Sequence, residues 1–172
     1  MPVQPTSTDL PAAGQVALSG EVRAPAWLSV ATLRSMPQRE MTVSFECRTS
    51  GARRHYFTGP LLIDVLHGAE PRFDAGERKD RLRFLISVLG RDGHRAVLSW
   101  GEIDPEFGNT PALLAVSMDC RALDDQGPHL VMPGDRCGAR HISQVTDLRV
   151  WADDPLWNTA HPHDGPASHI PA

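Results

Sequence analysis

A mixed α+β fold, built mostly from antiparallel sheet, is what this sequence predicts. Three observations carry that prediction. Short alternating or aliphatic runs recur along the chain, at 16–22, 41–47 and 82–89, and alternation marks a strand with one buried face. Glycine-bearing turns, at Gly51 and at Arg91-Asp92-Gly93-His94, stand between neighbouring runs and suit hairpins. The helical stretches are brief, and nothing repeats as the strand–helix–strand units that build parallel sheet.

The elements follow in order. Residues 16–22 alternate as a strand that Pro25 breaks. Ser29 is placed to cap a short helix from Val30 that Pro37 stops. Residues 41–47 form a strand with Val43 and Phe45 on one face, and the chain returns through His55-Tyr56-Phe57-Thr58. Pro60 suits the first turn of a helix whose stripe is Leu62, Val65 and Leu66. The charged stretch 72–81 reads as a solvated loop. Residues 82–89 read as a buried strand, paired through the Asp92-Gly93 turn with 95–100. A helical turn at 103–105, strands at 113–118 and 130–132, and a closing strand at 148–151 complete the body. That body spans 15–151, between an N-terminal arm (1–14) and a proline- and histidine-containing tail (152–172).

Composition narrows the function. With 172 residues, 41% of them hydrophobic and 22% charged, the chain is long enough to bury a core. A net charge of −4 gives no reason to expect nucleic acid. No apolar run reaches the ~18 residues of a membrane span, and no secretory leader opens the chain, so a cytoplasmic location is expected. Three widely spaced cysteines do not read as a disulfide framework. No Ser-His-Asp pattern, phosphate-binding loop or dinucleotide fingerprint occurs, which sets aside serine-hydrolase and nucleotide-dependent chemistry.

Two clusters carry chemistry. Cys47 ends a strand just before the turn Arg48-Thr49-Ser50-Gly51 and near Arg53, Arg54 and His55. A thiol so placed suits thiolate chemistry or soft-metal ligation; a packed structural cysteine is the alternative. The second cluster is Pro133-Gly134-Asp135-Arg136-Cys137-Gly138-Ala139-Arg140-His141. Its glycines free backbone N–H groups, and Arg136 and Arg140 can grip an anion; a solvated surface turn is the alternative. His94, in its hairpin turn, is a candidate proton donor or acceptor. The tail histidines His161, His163 and His169 have chelating spacing but no scaffold to orient them.

The order of these segments resembles the molybdopterin-binding domain of the sulfite oxidase family over most of the body. "LSGEVRAPAWLSVATLRSMPQREMTVSFEC" is similar to that family's opening strand, short helix and cysteine-terminated strand. "FTGPLLIDVL" is similar to its GxxLxDVL helix. "LLAVSMDCRALDDQGPHLVMPGDRCGAR" is similar to its LAxxMNGxxL…PGxxGxR stretch. The resemblance implies a sulfite-oxidase-type α+β fold and a stand-alone oxidoreductase-like domain. It implies Cys47 as the molybdenum ligand, with Arg136, Gly138, Arg140 and Ser143 on the pterin side. Arg54, His55 and His94 would face substrate. Ser143 stands where the family has a lysine, and Arg48-Thr49-Ser50-Gly51 departs from its post-cysteine turn. The implied cofactor is molybdopterin with its molybdenum, or a metal-free pterin if the protein is a sensor or carrier. Implied partners are the pterin or a small-molecule substrate, and a redox partner protein.

Overall fold

The computed structural model describes residues 12–47 and 51–157, without the side chains of Glu46 and Cys47. The expected tail histidines therefore lie outside the described residues. Strands β1 (Gln15–Gly20), β2 (Ala26–Ser29), β5 (Phe84–Gly90), β6 (Arg95–Ser99) and β11 (Val145–Ala152) form a five-stranded sheet in the order β2-β1-β11-β5-β6. A four-stranded sheet joins β3 (Arg39–Cys47), β4 (Gly51–Gly59), β8 (Ser117–Met118) and β9 (Arg121–Ala122). A third pairs β7 (Leu113–Ala115) with β10 (His129–Val131). The short helices are α1 (Val30–Arg34), α2 (Leu62–His67), α3 (Trp100–Ile103) and α4 (Asp154–Trp157). No helix among the described residues is long and apolar enough to cross a membrane.

Alternation explains the large sheet. Phe84, Ile86 and Val88 are buried in β5, and Ala96 and Leu98 in β6. They share one hydrophobic cluster with Leu18, Leu148 and Val150 from the other strands and with Leu33, Leu62 and Leu66 from α1 and α2. Ser29 caps α1 as its sequence position predicts, its hydroxyl accepting from Thr32 N at 3.0 Å. Gly20 ends β1 at φ +98, where a Cβ would come within 1.9 Å of the Val150 carbonyl oxygen; a side chain has no room there.

Several expectations change. Residues 26–29 form an antiparallel strand on β1, although Pro25 reads as a break. Proline only interrupts the ladder at its own position, and a four-residue edge strand tolerates that. The strand expected from Leu82 begins at Phe84, and Leu82 is exposed. The run 113–118 splits into β7 and β8, which belong to different sheets. The charged stretch does more than face solvent. Arg81 donates to buried Asp104 at 2.8 Å and also pairs with Glu106, while Arg83 pairs with Asp80 and Asp154.

A second, smaller cluster lies between the four-stranded sheet and the β7–β10 pair. Val43, Phe57, Leu113, Ala115 and Val131 are its buried members, with Met41, Phe45 and Met118 against them. The candidate site sits in this cluster.

Candidate functional site

The β3–β4 hairpin is in register from Arg39↔Gly59 to Cys47↔Gly51. Strand alternation therefore sorts the basic residues of β4. His55 lies opposite Val43 and Arg53 opposite Phe45, on the face that enters the second cluster. Arg54, opposite Ser44, is exposed on the reverse face. Arg54 and His55 are thus separated by the sheet, and Arg53 is the arginine on the histidine's side. Cys47 closes β3 two positions beyond Phe45; its expected ligand role rests on a side chain outside those described.

His55 is held by a carboxylate. Its Nδ1 lies 2.8 Å from Asp119 Oδ2, and the other Asp119 oxygen accepts from Tyr56 N at 2.9 Å. These two bonds, backbone first, hold the Asp119 carboxyl below its ordinary range. Asp119 and Cys120 form the two-residue turn between β8 and β9, with φ of 51 and 62. Positive φ at both central positions matches the twist of tight hairpins, though glycine is the usual second residue. With Nδ1–H given to Asp119, His55 Nε2 carries the free lone pair.

Two histidines that the sequence reading assigns no role complete the site. Leu130 and Ile142 form an antiparallel bridge, with Leu130 N and Ile142 N each donating to the other's carbonyl. Their neighbours His129 and His141 come together, ring centroids 5.3 Å apart. The His141 ring also lies 4.9 Å from Phe45 and 5.4 Å from Phe57. His129 is 4% exposed. Neither of its ring nitrogens, nor Nδ1 of His141, has a hydrogen-bond partner among the described residues. Burial drives both imidazoles down to about 4, and at His141 the neighbouring histidines add to the effect. One sequence signal pointed here: alternation in β10 puts His129 on the face of buried Val131, a polar ring where an apolar one is expected.

The glycine-containing loop packs against β3 beside this pair. Gly138 lies against the Phe45 ring so tightly that a Cβ would stand 3.2 Å from Cδ1. His94 Nε2–H donates to the Ala139 carbonyl at 2.9 Å, tying the β5–β6 turn to the loop. His55, His94 and Gly138 are thus brought near one cluster. Arg136 is exposed, and Ser143 is half-buried just past the bridge.

Arg140 has partners other than the expected anion. Its guanidinium donates to both Asp135 oxygens, at 2.9 and 2.6 Å, and to Glu102 at 2.9 Å. The Asp135 bonds, then Glu102, raise its already high pKa. Arg140 pins the loop to α3. Arg140→Ala is expected to cost about 1–2 kcal/mol in urea denaturation, after discounting for solvent at this partly exposed pair. No group of three or more His, Cys, Asp or Glu among the described residues is placed to hold a metal ion.

No protein-family model matches this chain, and no curated protein does. Among solved structures, the sulfane dehydrogenase SoxCD from Paracoccus pantotrophus is similar, at a TM-score of 0.63 and 16% sequence identity. The similarity covers 87% of this chain and 40% of that one, so the chain spans well under half of its neighbour. At this identity the likeness speaks for fold alone. The chain has an α+β fold, rich in sheet and short in helix, of the kind found in part of a sulfane dehydrogenase.

Proposed function

We propose that this chain is a pterin-binding, oxidoreductase-like domain of the sulfite oxidase type, with molybdopterin as its cofactor. One observation carries the reading. The two clusters singled out in the sequence, the Cys47 hairpin and the Gly138–Arg140 loop, are packed together through Phe45 and Gly138. The fold likeness to a dehydrogenase agrees with it.

The residues present fit a planar heterocycle. Half-buried Phe45 supplies an aromatic ring, Gly138 lets backbone come close, and three buried ring nitrogens lack partners among the described residues. Cys47, at the end of β3, would supply the thiolate to molybdenum. The bound cofactor would supply two-electron or oxygen-atom chemistry, and the protein orients it and sets its surroundings. His55, fixed by Asp119, would present Nε2 to accept a proton from a substrate at the hairpin face. His94 would hold the loop in place through Ala139.

Cys47→Ser tests the reading, in protein from a host that makes the cofactor. Loss of molybdenum and turnover with the fold intact is the expected result, with Cys120→Ser unaffected. Pterin retained with no metal in the wild type would favour a sensor or carrier over an enzyme. If the two variants match in metal, pterin and activity, Cys47 has no special role.

A further inference from the structure

We propose that the His129–His141 pair recognises an uncharged planar ring through its edge, a ring that both donates and accepts hydrogen bonds. This rests on the pterin reading above and names which part of a ligand the buried end of the site takes.

The argument begins with what is unmet. A neutral imidazole offers one N–H donor and one acceptor nitrogen. At His129 both are buried without partners among the described residues, and at His141 so is Nδ1. Buried polar groups are nearly always paired, so an imidazole kept here unpaired lowers the stability of the ligand-free protein. Packing gives no reason for it: His129 lies opposite Ala115 and on the same face as Val131 and Leu113, all apolar, and a leucine would serve such a site as well. Residues that cost stability without a structural return mark function.

The chemistry then selects the ligand. Both imidazoles are held neutral by burial, and the guanidinium of the adjacent loop, Arg140, is engaged by Asp135 and Glu102. An anion seated against the pair would surrender its hydration for no opposite charge. A neutral heterocycle gains hydrogen bonds at its edge and ring contact with half-buried Phe45. Charged groups on the same ligand would remain outward, toward exposed Arg53 and Arg136.

The test uses the full chain, with 6-hydroxymethylpterin followed by its fluorescence and inorganic phosphate as competitor. Wild type is expected to bind the pterin and to hold it against phosphate. His129→Leu is expected to melt at a higher temperature than wild type, yet bind the pterin at least tenfold more weakly. His129→Gln, which keeps a neutral donor and acceptor, is expected to recover most of that affinity. A lower melting temperature for His129→Leu, or unchanged affinity, overturns the role given to the pair. Displacement by phosphate overturns the claim of an uncharged ligand and leaves the pterin reading standing. If wild type binds no pterin at all, the functional reading fails with it.

Discussion

Asp104→Ala is expected to destabilise the protein by about 3–5 kcal/mol, seen as a lower urea midpoint with an unchanged slope. Asp104 is 1% exposed and joins three elements. One carboxylate oxygen accepts from Trp100 Nε1 at 2.9 Å and from Arg81 at 2.8 Å; the other accepts from Glu106 N at 2.9 Å. Removing it leaves a buried indole N–H and the Glu106 N–H without their acceptor, and takes from a mostly buried guanidinium its buried carboxylate, leaving it only the exposed Glu106. Asp104→Asn keeps the volume and one acceptor and should lose less. Glu106→Gln, at an exposed partner of the same arginine, should change stability far less. Equal effects at positions 104 and 106 would show that burial does not govern this network.

Acid should unfold this protein earlier than its carboxylates alone would dictate. His129 and His141 titrate at about 4 in the folded chain, against an ordinary value of 6.5. Between those values the unfolded state binds more protons, so stability rises with pH across the window. The contribution is complete above about pH 6.5 and is lost as pH falls toward 4. Each pH unit between the folded and unfolded titration points is worth ~1.4 kcal/mol per ring, and with two coupled, partly solvated rings the loss is on the order of 4 kcal/mol. The carboxylates held low, such as Asp80, lose their contribution only nearer pH 4 and below. Urea midpoints measured from pH 7 to pH 4 check this, with His129→Leu expected to remove roughly half the slope. A flat profile across that window would place both rings in contact with water or a bound partner.

Much of the architecture was legible, and the reasons are local. Val43 and Phe45 alternate with Ser44 and Glu46, and Gly51 permits the turn, so β3 and β4 declare themselves. Ser29 and the Asp92-Gly93 turn work through their immediate neighbours, and both hold. What was hidden depends on distant partners. The β2 strand exists because β1 offers it an edge, and Pro25 conceals it. The 113–118 run gives no sign that half of it pairs with β4 and half with β10. The site divides the same way. His55, His94 and Gly138 stood out by their own surroundings, while Asp119 becomes a partner of His55 only through the β4–β8 pairing. Arg140 reads as free because Glu102, 38 residues away, reaches it only through the fold, and because nothing local shows that Asp135 of the same loop folds back on it.

The position of β11 has a consequence for synthesis. This strand lies at the middle of the five-stranded sheet, parallel to β1 and antiparallel to β5, yet it is made after every other strand among the described residues. Until Val145–Ala152 leaves the ribosome, β1–β2 and β5–β6 are two separate ribbons, each with an open edge and an uncovered apolar face. The nascent chain must carry Leu18, Ile86 and Val88 without their full cover until then. Folding waits on one long-range closure, in which β11 inserts between two ribbons already made. A chain truncated before Val145 would keep both ribbons and lose what joins them, and aggregation at their edges is its natural fate.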